Sequence, residues 1–410
     1  MKKGDALSLP KGWEIKKLGE VCTIKPPKKF AKEQLSDEEF ITFLPMADLK
    51  EFNHYINPVQ IKKLKDVYKG YVYFENNDVL LAKITPCFEN GKLGIAQNLK
   101  NGIGFGSSEY MVFRPGANIS SEYIYYFLSL DFIRNEGKYR MTGAVGHKRI
   151  PVEYISNQNL IVPPLPEQKR IVAILDRVFS VIERSRNNAE QNLKNAKELF
   201  ESYLNRIFDP STRSGQEGED WEEKRLGEIG KVSMCKRILK KQTSSTGDIP
   251  FYKIGTFGKT ANAFISKEIY EDYRSKYSFP KKGDILLSAS GTIGRRVVYD
   301  DKPAYFQDSN IVWIDNDEKN VLNKYLYHFY GFCDWNPSRG ATISRLYNDD
   351  LRRINIPFPK SKEQQKQIVQ KLDQLQAETK KLEAIYQKKI EDLEELKKSV
   401  LQKAFNGELS

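Results

Sequence analysis

The sequence has little of what metal-binding, secreted or membrane-spanning proteins require. Its 410 residues include only four cysteines, Cys22, Cys87, Cys235 and Cys333. They lie far apart with no C-x-x-C spacing, which argues against a zinc site and against a disulfide framework. No apolar run reaches the ~18 residues of a membrane span, and no apolar segment follows the N-terminal lysines as a signal peptide requires. We therefore expect a cytoplasmic protein with no bound metal and no membrane contact.

Catalytic signatures are also missing. The chain has no G-x-x-x-x-G-K-[ST] phosphate loop and no H-E-x-x-H zinc motif. Its three histidines, His54, His147 and His328, are isolated in the sequence, which disfavours a histidine-based triad. The Asn-Pro-Ser segment at 336–338 matches only part of the Asn-Pro-Pro-aromatic motif of amino-methyltransferases. These absences predict a protein that is not an enzyme and binds no cofactor.

The charge balance favours a polyanionic partner. Lys and Arg number 66 against 54 Asp and Glu, so the net charge is +12 and the isoelectric point is about 9.2. A basic excess of this size is typical of nucleic-acid-binding proteins, although a generically soluble basic protein has the same balance. Hydrophobic residues make up 40% of the chain, enough for buried cores, and the length indicates two or three domains.

The chain repeats itself, which is the first property to seek in an unknown sequence. WEIKKLGE at 13–20 recurs as WEEKRLGE at 221–228, an offset of 208 residues, and DVLLA at 78–82 recurs as DILLS at 284–288. Further pairs in the same order are YIYYF at 123–127 with YLYHF at 325–329, GA at 143–144 with GA at 340–341, EQ at 167–168 with EQ at 363–364, and LD at 175–176 with LD at 372–373. The offset decreases to 197 and then stays constant, so the insertions lie in the globular halves and not in the segments that follow them.

Each half ends in a long predicted helix whose apolar residues advance by four and three. This heptad pattern is typical of a coiled coil, in which these side chains insert between those of a partner helix. The predicted seam consists of Ile171, Leu175, Val178, Ile182 and Leu199 in the first helix and Ile368, Leu372, Leu375, Leu382, Leu393 and Leu396 in the second, with Asn192, Thr379 and Lys389 as polar positions. The simplest partners are the two helices themselves, which would then join the globular halves by a rod. The alternative is that each helix packs on its own globular half.

The globular halves have the sequence pattern of mixed α/β domains. Short β-branched and aromatic runs predict strands, at 72–74, 79–81, 110–113, 284–287 and 311–314. Segments 122–130 and 323–329 predict short helices whose tyrosines belong to the core. The fold class is therefore α+β, with two such domains and two long helices. The predicted divisions are a first domain at 1–162, a helix at 163–208, a flexible linker at 209–220, a second domain at 221–359 and a helix at 360–410.

Polar loops with small residues follow the strands at matching points of both halves. Glycine allows close backbone approach, hydroxyl groups bond phosphates, and arginine binds guanine edges. Each loop alone is explained as well by an ordinary hairpin, but their recurrence favours a shared surface role. The candidate DNA-binding residues are Lys83, Thr85, Lys92, Ser107, Ser108, His147, Lys148 and Arg149 in the first half, and Ser290, Thr292, Arg295, Arg296, Gln307, Ser309, Arg339, Ser344 and Arg345 in the second.

With these segments in view, the chain resembles the specificity subunits of type I restriction–modification systems over essentially its whole length. The segments on which the resemblance rests are the Trp and Leu-Gly of WEIKKLGE, PPLPEQKRI at 163–171, GDILL at 283–287 and VLQKAFNGEL at 400–409. FLPMADL at 43–49 also looks like a common subtype of recognition domain, whereas the second half has FYKIG at a similar place, 251–255. The two halves are therefore expected to recognise different sequences.

The resemblance implies a function and a set of partners. Each globular half would be a target-recognition domain that reads one half of a split, bipartite site in double-stranded DNA. The helices would form an antiparallel coiled coil that spaces the two domains. Two modification subunits, which methylate adenine, would dock on this scaffold, and motor–endonuclease subunits would join for cleavage. From the residues alone, a free-standing two-headed DNA-binding regulator and a coiled-coil interaction scaffold remain alternatives.

Overall fold

The computed structural model describes residues 9–58, 60–209, 211, 220–335, 338–339 and 344–409. The chain divides into two compact units. Unit 1 comprises Met1–Ala189 with Lys388–Ser410, and unit 2 comprises Glu190–Gln387. Each unit therefore holds one globular part, called head 1 or head 2 below, and a stretch of each long helix. Of the predicted linker, only Asp209, Ser211 and Asp220 fall within the described residues.

Unit 1 begins with a head rich in short strands. Its strands are β1 (Glu14–Lys17), β2 (Cys22–Ile24), β3 (Phe40–Leu44), β4 (Tyr55–Ile56), β5 (Gln60–Lys63), β6 (Val72–Glu75), β7 (Val79–Ala82), β8 (Leu93–Ala96), β9 (Ile103–Gly106), β10 (Tyr110–Pro115) and β11 (Asn159–Val162). Its helices are α1 (Leu18–Val21), α2 (Lys29–Gln34), α3 (Leu64–Val67), α4 (Ser121–Leu128), α5 (Asp131–Arg140) and α6 (Val152–Ser156), followed by the long α7 (Leu165–Phe208).

Head 1 contains three sheets. Their strand orders are β2-β10-β7-β8-β4, β5-β3-β9-β6 and β1-β11. Strand β7 is buried on both faces. Val79 and Leu81 pack with α4, whereas Leu80 and Ala82 pack with Leu44 and other residues on the side of the four-stranded sheet. This two-sided burial explains why the segment is an unbroken apolar run and does not alternate with polar residues.

Unit 2 repeats the same plan. Its strands are β12 (Trp221–Arg225), β13 (Gly230–Ser233), β14 (Ile249–Tyr252), β15 (Phe264–Ile265), β16 (Ile285–Ser288), β17 (Arg296–Val298), β18 (Tyr305–Phe306), β19 (Ile311–Asn316), β20 (Ser338–Arg339), β21 (Ser344–Arg345) and β22 (Asn355–Pro359). Its helices are α8 (Leu226–Ile229), α9 (Lys267–Lys276), α10 (Asn323–Phe332), α11 (Asn348–Arg353) and the long α12 (Lys362–Phe405).

The sheet registers confirm the duplication. The sheet β13-β19-β16-β17 has the order of β2-β10-β7-β8, and β12 pairs with β22 as β1 pairs with β11. Leu80 lies opposite Val112 in head 1, as Leu286 lies opposite Trp313 in head 2. The predicted strands and the two tyrosine-rich helices are all present, and Tyr123, Tyr125 and Tyr126 are buried in the core as expected.

The long helices run antiparallel within each unit. In unit 1, the start of α7 packs with the end of α12, because Ile171 and Leu175 share a core with Ala404 and Phe405. In unit 2, the end of α7 packs with the start of α12, because Phe208 shares a core with Leu372 and its neighbours. Each helix has 44 residues, which corresponds to about 66 Å at ~1.5 Å per residue.

The predicted heptad is wrong in its period. One series of buried and half-buried positions in α7 is Ile171, Leu175, Val178, Ile182, Ser185, Ala189, Leu193, Ala196, Phe200, Tyr203 and Ile207, beside further buried positions such as Val172 and Leu204. Those of α12 include Ile368, Leu372, Leu375, Thr379, Glu383, Tyr386, Ile390, Leu393, Lys397, Val400 and Ala404. Each set advances 36 residues in ten steps, which is 3.6 residues per step. An unbroken heptad repeat of ~3.5 would advance about 35 residues in the same ten steps.

Three predicted seam residues are misplaced for this reason. Leu199, Leu382 and Leu396 are 61%, 39% and 47% exposed. In the second half of each helix, alternate heptad positions fall one residue before a buried or half-buried position and are exposed, whereas the others, including Ala196 and Leu393, stay on the buried face. Among the polar positions, Asn192 and Lys389 are likewise exposed, and Thr379 is buried.

A buried glutamine at the start of α7 ties this helix to head 1. Gln168 is fully buried, and its amide nitrogen Nε2 donates to the carbonyl groups of Asn118 at 2.9 Å and Pro163 at 2.8 Å. Its Oε1 accepts a hydrogen bond from the amide of Ser120 at 3.0 Å. Both ends of the side chain are therefore satisfied, as a buried amide group requires.

The same clamp occurs in unit 2. Gln365 is fully buried, its Nε2 donates to the carbonyl groups of Asn320 and Pro359, and its Oε1 accepts from the amide of Leu322. Its offset from Gln168 is 197 residues. The sequence match of EQ at 167–168 with EQ at 363–364 is thus off by one residue, because Gln365 and not Gln364 makes the equivalent contacts.

Candidate nucleic-acid interface

In head 1, three of the predicted loops meet at one end of β7. The amide of Lys83 donates to the carbonyl of Glu109, and the amide of Ile150 donates to the carbonyl of Lys83, both at 2.9 Å. The amide of Thr85 donates to the carbonyl of Lys148, also at 2.9 Å. Backbone bonds therefore bring the loops at 83–92, 107–109 and 142–150 together, and they form one surface.

An ion pair occupies the middle of this surface. The guanidinium of Arg149 donates to both carboxylate oxygens of Glu109, at 2.8 and 2.7 Å. This bidentate contact lowers the pKa of Glu109 and raises the pKa of Arg149. This contact uses Nε and Nη2. The guanidinium has further N–H donors, so Glu109 orients Arg149 without by itself preventing a contact with a guanine edge.

The other predicted residues of head 1 differ in their accessibility. Ser108, His147 and Lys148 are exposed on the same surface, whereas Ser107 and Thr85 are half-buried. The Oγ of Ser107 accepts from the amide of Glu109 and stabilises the turn. Lys92 does not join the group, because its ammonium donates to the carbonyl of Met46 at 2.9 Å.

The loops of head 2 are joined by the same backbone hydrogen bonds, called the loop frame below, but they carry different side chains. The amide of Ala289 donates to the carbonyl of Asn310, and the amide of Leu346 donates to the carbonyl of Ala289, both at 2.8 Å. Ala289 thus takes the place of Lys83, and Asn310 that of Glu109. Ser290 donates its hydroxyl to the side-chain oxygen of Asn310 at 2.9 Å. Arg345, at the position of Arg149, donates to the carbonyl of Ser309 at 2.9 Å.

Two shallow clefts flank the loops of head 2. One, of about 210 Å³, is lined by residues that include Ser290, Thr292 and Arg295. The other, of about 370 Å³, contains Gln307 and Ser309 together with three basic residues that the sequence reasoning missed, namely Arg237, Lys240 and Lys253. The basic run at 236–241, shortly after β13, was the signal that could have identified two of them.

Two of the predicted residues act within the frame of head 2. The side-chain oxygen of Gln307 accepts from the amide of Ile254, and Arg295 donates to the carbonyl of Phe257, both at 2.9 Å. They hold the loop that follows β14 against the other loops. The side chains of Arg339 and Ser344 lie outside the described residues, although their backbones pair as β20 and β21.

Arg296 does not belong to the surface that the sequence predicted. Its guanidinium lies 4.6 Å from the ring centre of Tyr327 on α10, and its Nε is buried without a hydrogen-bond partner among the described residues. It also fills the space beside Gly331, where an added Cβ would come within 2.4 Å of its nitrogen atoms. Strand alternation turns this residue toward the helix, while its neighbour Arg295 faces the loops.

An aspartate of the long helix binds the tyrosine-rich helix of the head in both units. In unit 1, the hydroxyl of Tyr126 donates to Asp176, which also lies 3.5 Å from Nδ1 of His54. In unit 2, His328 takes the place of Tyr126, and its Nε2 lies 2.8 Å from Asp373. The pairs Tyr126–Asp176 and His328–Asp373 are therefore equivalent. In unit 1 the histidine near the aspartate is His54, which lies outside α4, whereas in unit 2 it is His328 of α10 itself.

His328 predicts that α10 of unit 2 is sensitive to acid. Burial lowers the pKa of His328. The carboxylate of Asp373 acts in the opposite direction and raises this pKa, whereas the positive charge of Arg296 lowers it further. Because the folded pKa lies below the unfolded value of ~6.5, the unfolded state binds the proton more readily. The stability contributed by neutral His328 is complete above pH ~6.5 and is lost as the pH falls below it.

We expect His328→Tyr to remove this part of the acid sensitivity. Hydrogen exchange of α10, measured from pH 7.5 to pH 5 after correction for intrinsic exchange rates, should show weaker protection of the wild-type helix at acid pH and a smaller decline in the variant. Exchange of α4 in unit 1 is the internal control, since it carries no substitution. An equal decline of α10 in both proteins would contradict the assignment.

The described residues contain no cluster of three or more His, Cys, Asp or Glu side chains that could hold a metal ion. All four cysteines are free. Within the same part of the chain, every helix is too short or too polar to cross a bilayer.

Two heads with one loop frame and different side chains, carried on paired helices, define a two-headed recognition protein. The family model described as the type I restriction modification DNA specificity domain matches residues 10–194 and, a second time, residues 218–392. The chain belongs to this type I restriction–modification DNA specificity family, as the sequence resemblance predicted.

Individual relatives and solved structures agree with this membership. The chain is 38% identical over 327 residues to S.HindORF215P of Haemophilus influenzae, named as a type I restriction enzyme specificity subunit, covering 77% of this chain and 79% of that protein. It is 36% identical over 215 residues to the EcoAI specificity subunit of Escherichia coli, covering 52% of this chain and 36% of that one.

Two solved structures share the fold. A chain from a type I R-M system matches with a TM-score of 0.78 at 20% identity, over 98% of this chain and 100% of its own length. The HsdS subunit of Thermoanaerobacter tengcongensis matches with a TM-score of 0.64, also at 20% identity, over 98% of both chains. The predicted fold class, two α+β domains with two long helices, is thereby confirmed.

Proposed function

We propose that the chain is the DNA-recognition subunit of a type I restriction–modification complex, in which each head reads one half of a split site in double-stranded DNA. The observation that carries this proposal is the duplicated loop frame. The same backbone bonds hold Lys83 and Glu109 in head 1 and Ala289 and Asn310 in head 2. A constant frame with different side chains is suited to reading two different sequences by one mode of docking.

The chemistry of the two surfaces differs accordingly. Head 1 presents a carboxylate, Glu109, which can accept a hydrogen bond from a cytosine amino group when Arg149 moves to a neighbouring guanine. Head 2 presents the amide of Asn310, a group that pairs well with adenine, beside the guanidinium of Arg345. The two half-sites should therefore differ in sequence.

The helices supply the second part of the proposed function. Both carry large apolar side chains that are well exposed, namely Val181, Leu199, Leu382, Ile385 and Leu396. Exposed apolar side chains on an otherwise charged surface often mark protein contacts. We assign the exposed faces of the helices in each unit to contacts with two modification subunits, which methylate adenine at the site that the heads select, with motor–endonuclease subunits completing the complex. The free cysteines suit a reducing cytoplasm, where we place the complex.

Mapping of methylated adenines across the genome tests the proposal. Cells that express this chain together with its modification subunit should carry N6-methyladenine at one bipartite motif. Cells with the modification subunit alone should lack methylation at that motif. A motif that is methylated equally without this chain would contradict a role in recognition, and tight site-specific binding by the chain alone with no methylation would favour the regulator.

A further inference from the structure

A cleft of about 470 Å³ in head 1 is lined by three lysines and by no carboxylate. The lysines are Lys25, Lys28 and Lys83, and the rest of the lining consists of apolar, aromatic and hydroxyl-bearing residues that include Tyr71 and Ser108. Side chains of one charge sign in a confined space repel one another. Such a group is therefore an unfavourable arrangement unless an anion binds there.

Backbone bonds fix two of these lysines on opposite sides of β10. The amide of Lys25 donates to the carbonyl of Val112 at 2.8 Å, and the amide of Lys83 donates to the carbonyl of Glu109 at 2.9 Å. Strand β10 lies between β2 and β7 in the sheet, and the two bonding positions on it, Val112 and Glu109, are three residues apart. The two backbones are therefore about 10 Å apart across the strands and about 10 Å apart along them, or about 14 Å in all, at ~4.8 Å per strand and ~3.3 Å per residue. Two lysine side chains can span that distance and contact a single tetrahedral anion.

The charge of Lys83 is not neutralised within the head. Lys83 is half-buried, and burial lowers its pKa, with Lys25 and Arg149 adding to the shift against Glu109. Glu109 is the carboxylate that opposes the shift, and both of its oxygens are bonded to Arg149. Lys28 is partly engaged, because its ammonium donates to the carbonyl of Tyr68.

Head 2 lacks this group of lysines. Ile24 lies opposite Phe113 and Val232 lies opposite Ile314, so the register places Ser233 where head 1 has Lys25. Ala289 stands where head 1 has Lys83, as the loop frame shows. Both replacements are small and buried. The lysine cleft is therefore an addition to head 1 and not part of the common frame.

We propose that the lysine cleft binds one phosphate group of the DNA backbone through Lys25, Lys83 and the hydroxyl of Ser108. The inference rests on the proposed function and adds to it a contact that positions head 1 without reading bases. Lysine is suited to this role because its ammonium is a compact point charge, whereas base reading uses planar or bidentate groups.

The double variant Lys25→Ala/Lys83→Ala tests the cleft in the full chain with its modification subunit. Affinity is measured at several salt concentrations on the target duplex and on a duplex of unrelated sequence. Each neutralised phosphate contributes about 0.9 to the slope of log K against log salt. We expect the slope to decrease in magnitude by about 1, the affinity for both duplexes to fall by the same factor, and the methylated motif to stay the same.

Two further variants control for folding and for bulk charge. Lys25→Arg/Lys83→Arg keeps both charges and should retain the wild-type slope. Lys169→Ala removes an exposed lysine of α7 in the same unit and should leave the slope unchanged. An unchanged slope in the double alanine variant would overturn the proposal, and so would a change in one half of the methylated motif, which would mean that the lysines read bases.

Single neutral linkages identify the source of the phosphate. Duplexes with one methylphosphonate at successive positions should include a position that weakens wild-type binding and has no effect on the double alanine variant. Binding of inorganic phosphate to the cleft, with no such position in DNA, would show that the ligand is free phosphate and would overturn the proposal. Failure of the proposed function would appear separately, as the absence of motif-specific methylation by the wild-type complex.

Discussion

Replacement of residues 13–160 by the head of another family member should change one half of the methylated motif and leave the other half intact. In head 1, β7 and β10 are buried between α4 and the four-stranded sheet, and the core on the α4 side continues into the long helices. The three loops of head 1 are held by bonds within the head. The loops should therefore keep their arrangement, and the sequence they read, when the head is moved to another chain.

The exchange has a matched reciprocal. Replacing residues 221–356 should change the other half of the motif, and the double exchange should change both. The comparison is made by mapping methylated adenines for each hybrid with the same modification subunit. A single exchange that altered both halves, or neither, would show that the heads do not act as separate readers.

Lengthening both long helices by seven residues should change the spacer between the half-sites and leave the half-sites themselves unaltered. Seven residues add about 10.5 Å at ~1.5 Å per residue, which equals about three base pairs at ~34 Å per turn of ~10 base pairs. The insertions are placed after Ala189 in α7 and after Gln387 in α12, at the boundaries of the two units. Both helices of the antiparallel pair then become longer by the same amount.

The repeat of 3.6 residues refines this experiment. Seven residues turn the buried face by about 20° short of two full turns, which the packing should tolerate, whereas 18 residues complete five turns and keep the face in phase. Insertion into α7 alone is the control and should destabilise the pair, because the buried faces then no longer match. A spacer that stays the same with both insertions would exclude the helices as the element that sets the distance.

The sequence predicted the duplication and the secondary-structure elements better than it predicted individual side-chain positions. Repetition of segments such as DVLLA and DILLS fixed the equivalence of β7 and β16, since strands buried on both faces tolerate few changes. The convergence of the loops around Lys83 and Ser290 also followed from their matching positions. The heptad was wrong because a repeat of 3.5 and one of 3.6 differ by a single residue over ten steps, too little to see in a pattern of leucines and alanines.

Other errors came from contacts that only the folded sheet brings together. Arg296 looked like its neighbour Arg295, but strand alternation places the two on opposite faces. Lys25 was overlooked because it is near Lys83 only across β10, 58 residues away in the sequence. The interpretation of Arg149 was incomplete because its partner, Glu109, belongs to a different loop.

The glutamine clamp has a consequence for how such chains diverge. Apart from its bond to the carbonyl of Pro163, Gln168 makes its hydrogen bonds to backbone atoms of Asn118 and Ser120, and Gln365 does the same at Asn320 and Leu322. No side chain of the head takes part in these bonds. Substitutions of head side chains therefore leave them intact, whereas the contacts of Asp176 with Tyr126 and of Asp373 with His328 depend on the side chains of the head. The two glutamines therefore attach each long helix to the backbone of its head, and this part of the attachment does not depend on which side chains the head carries.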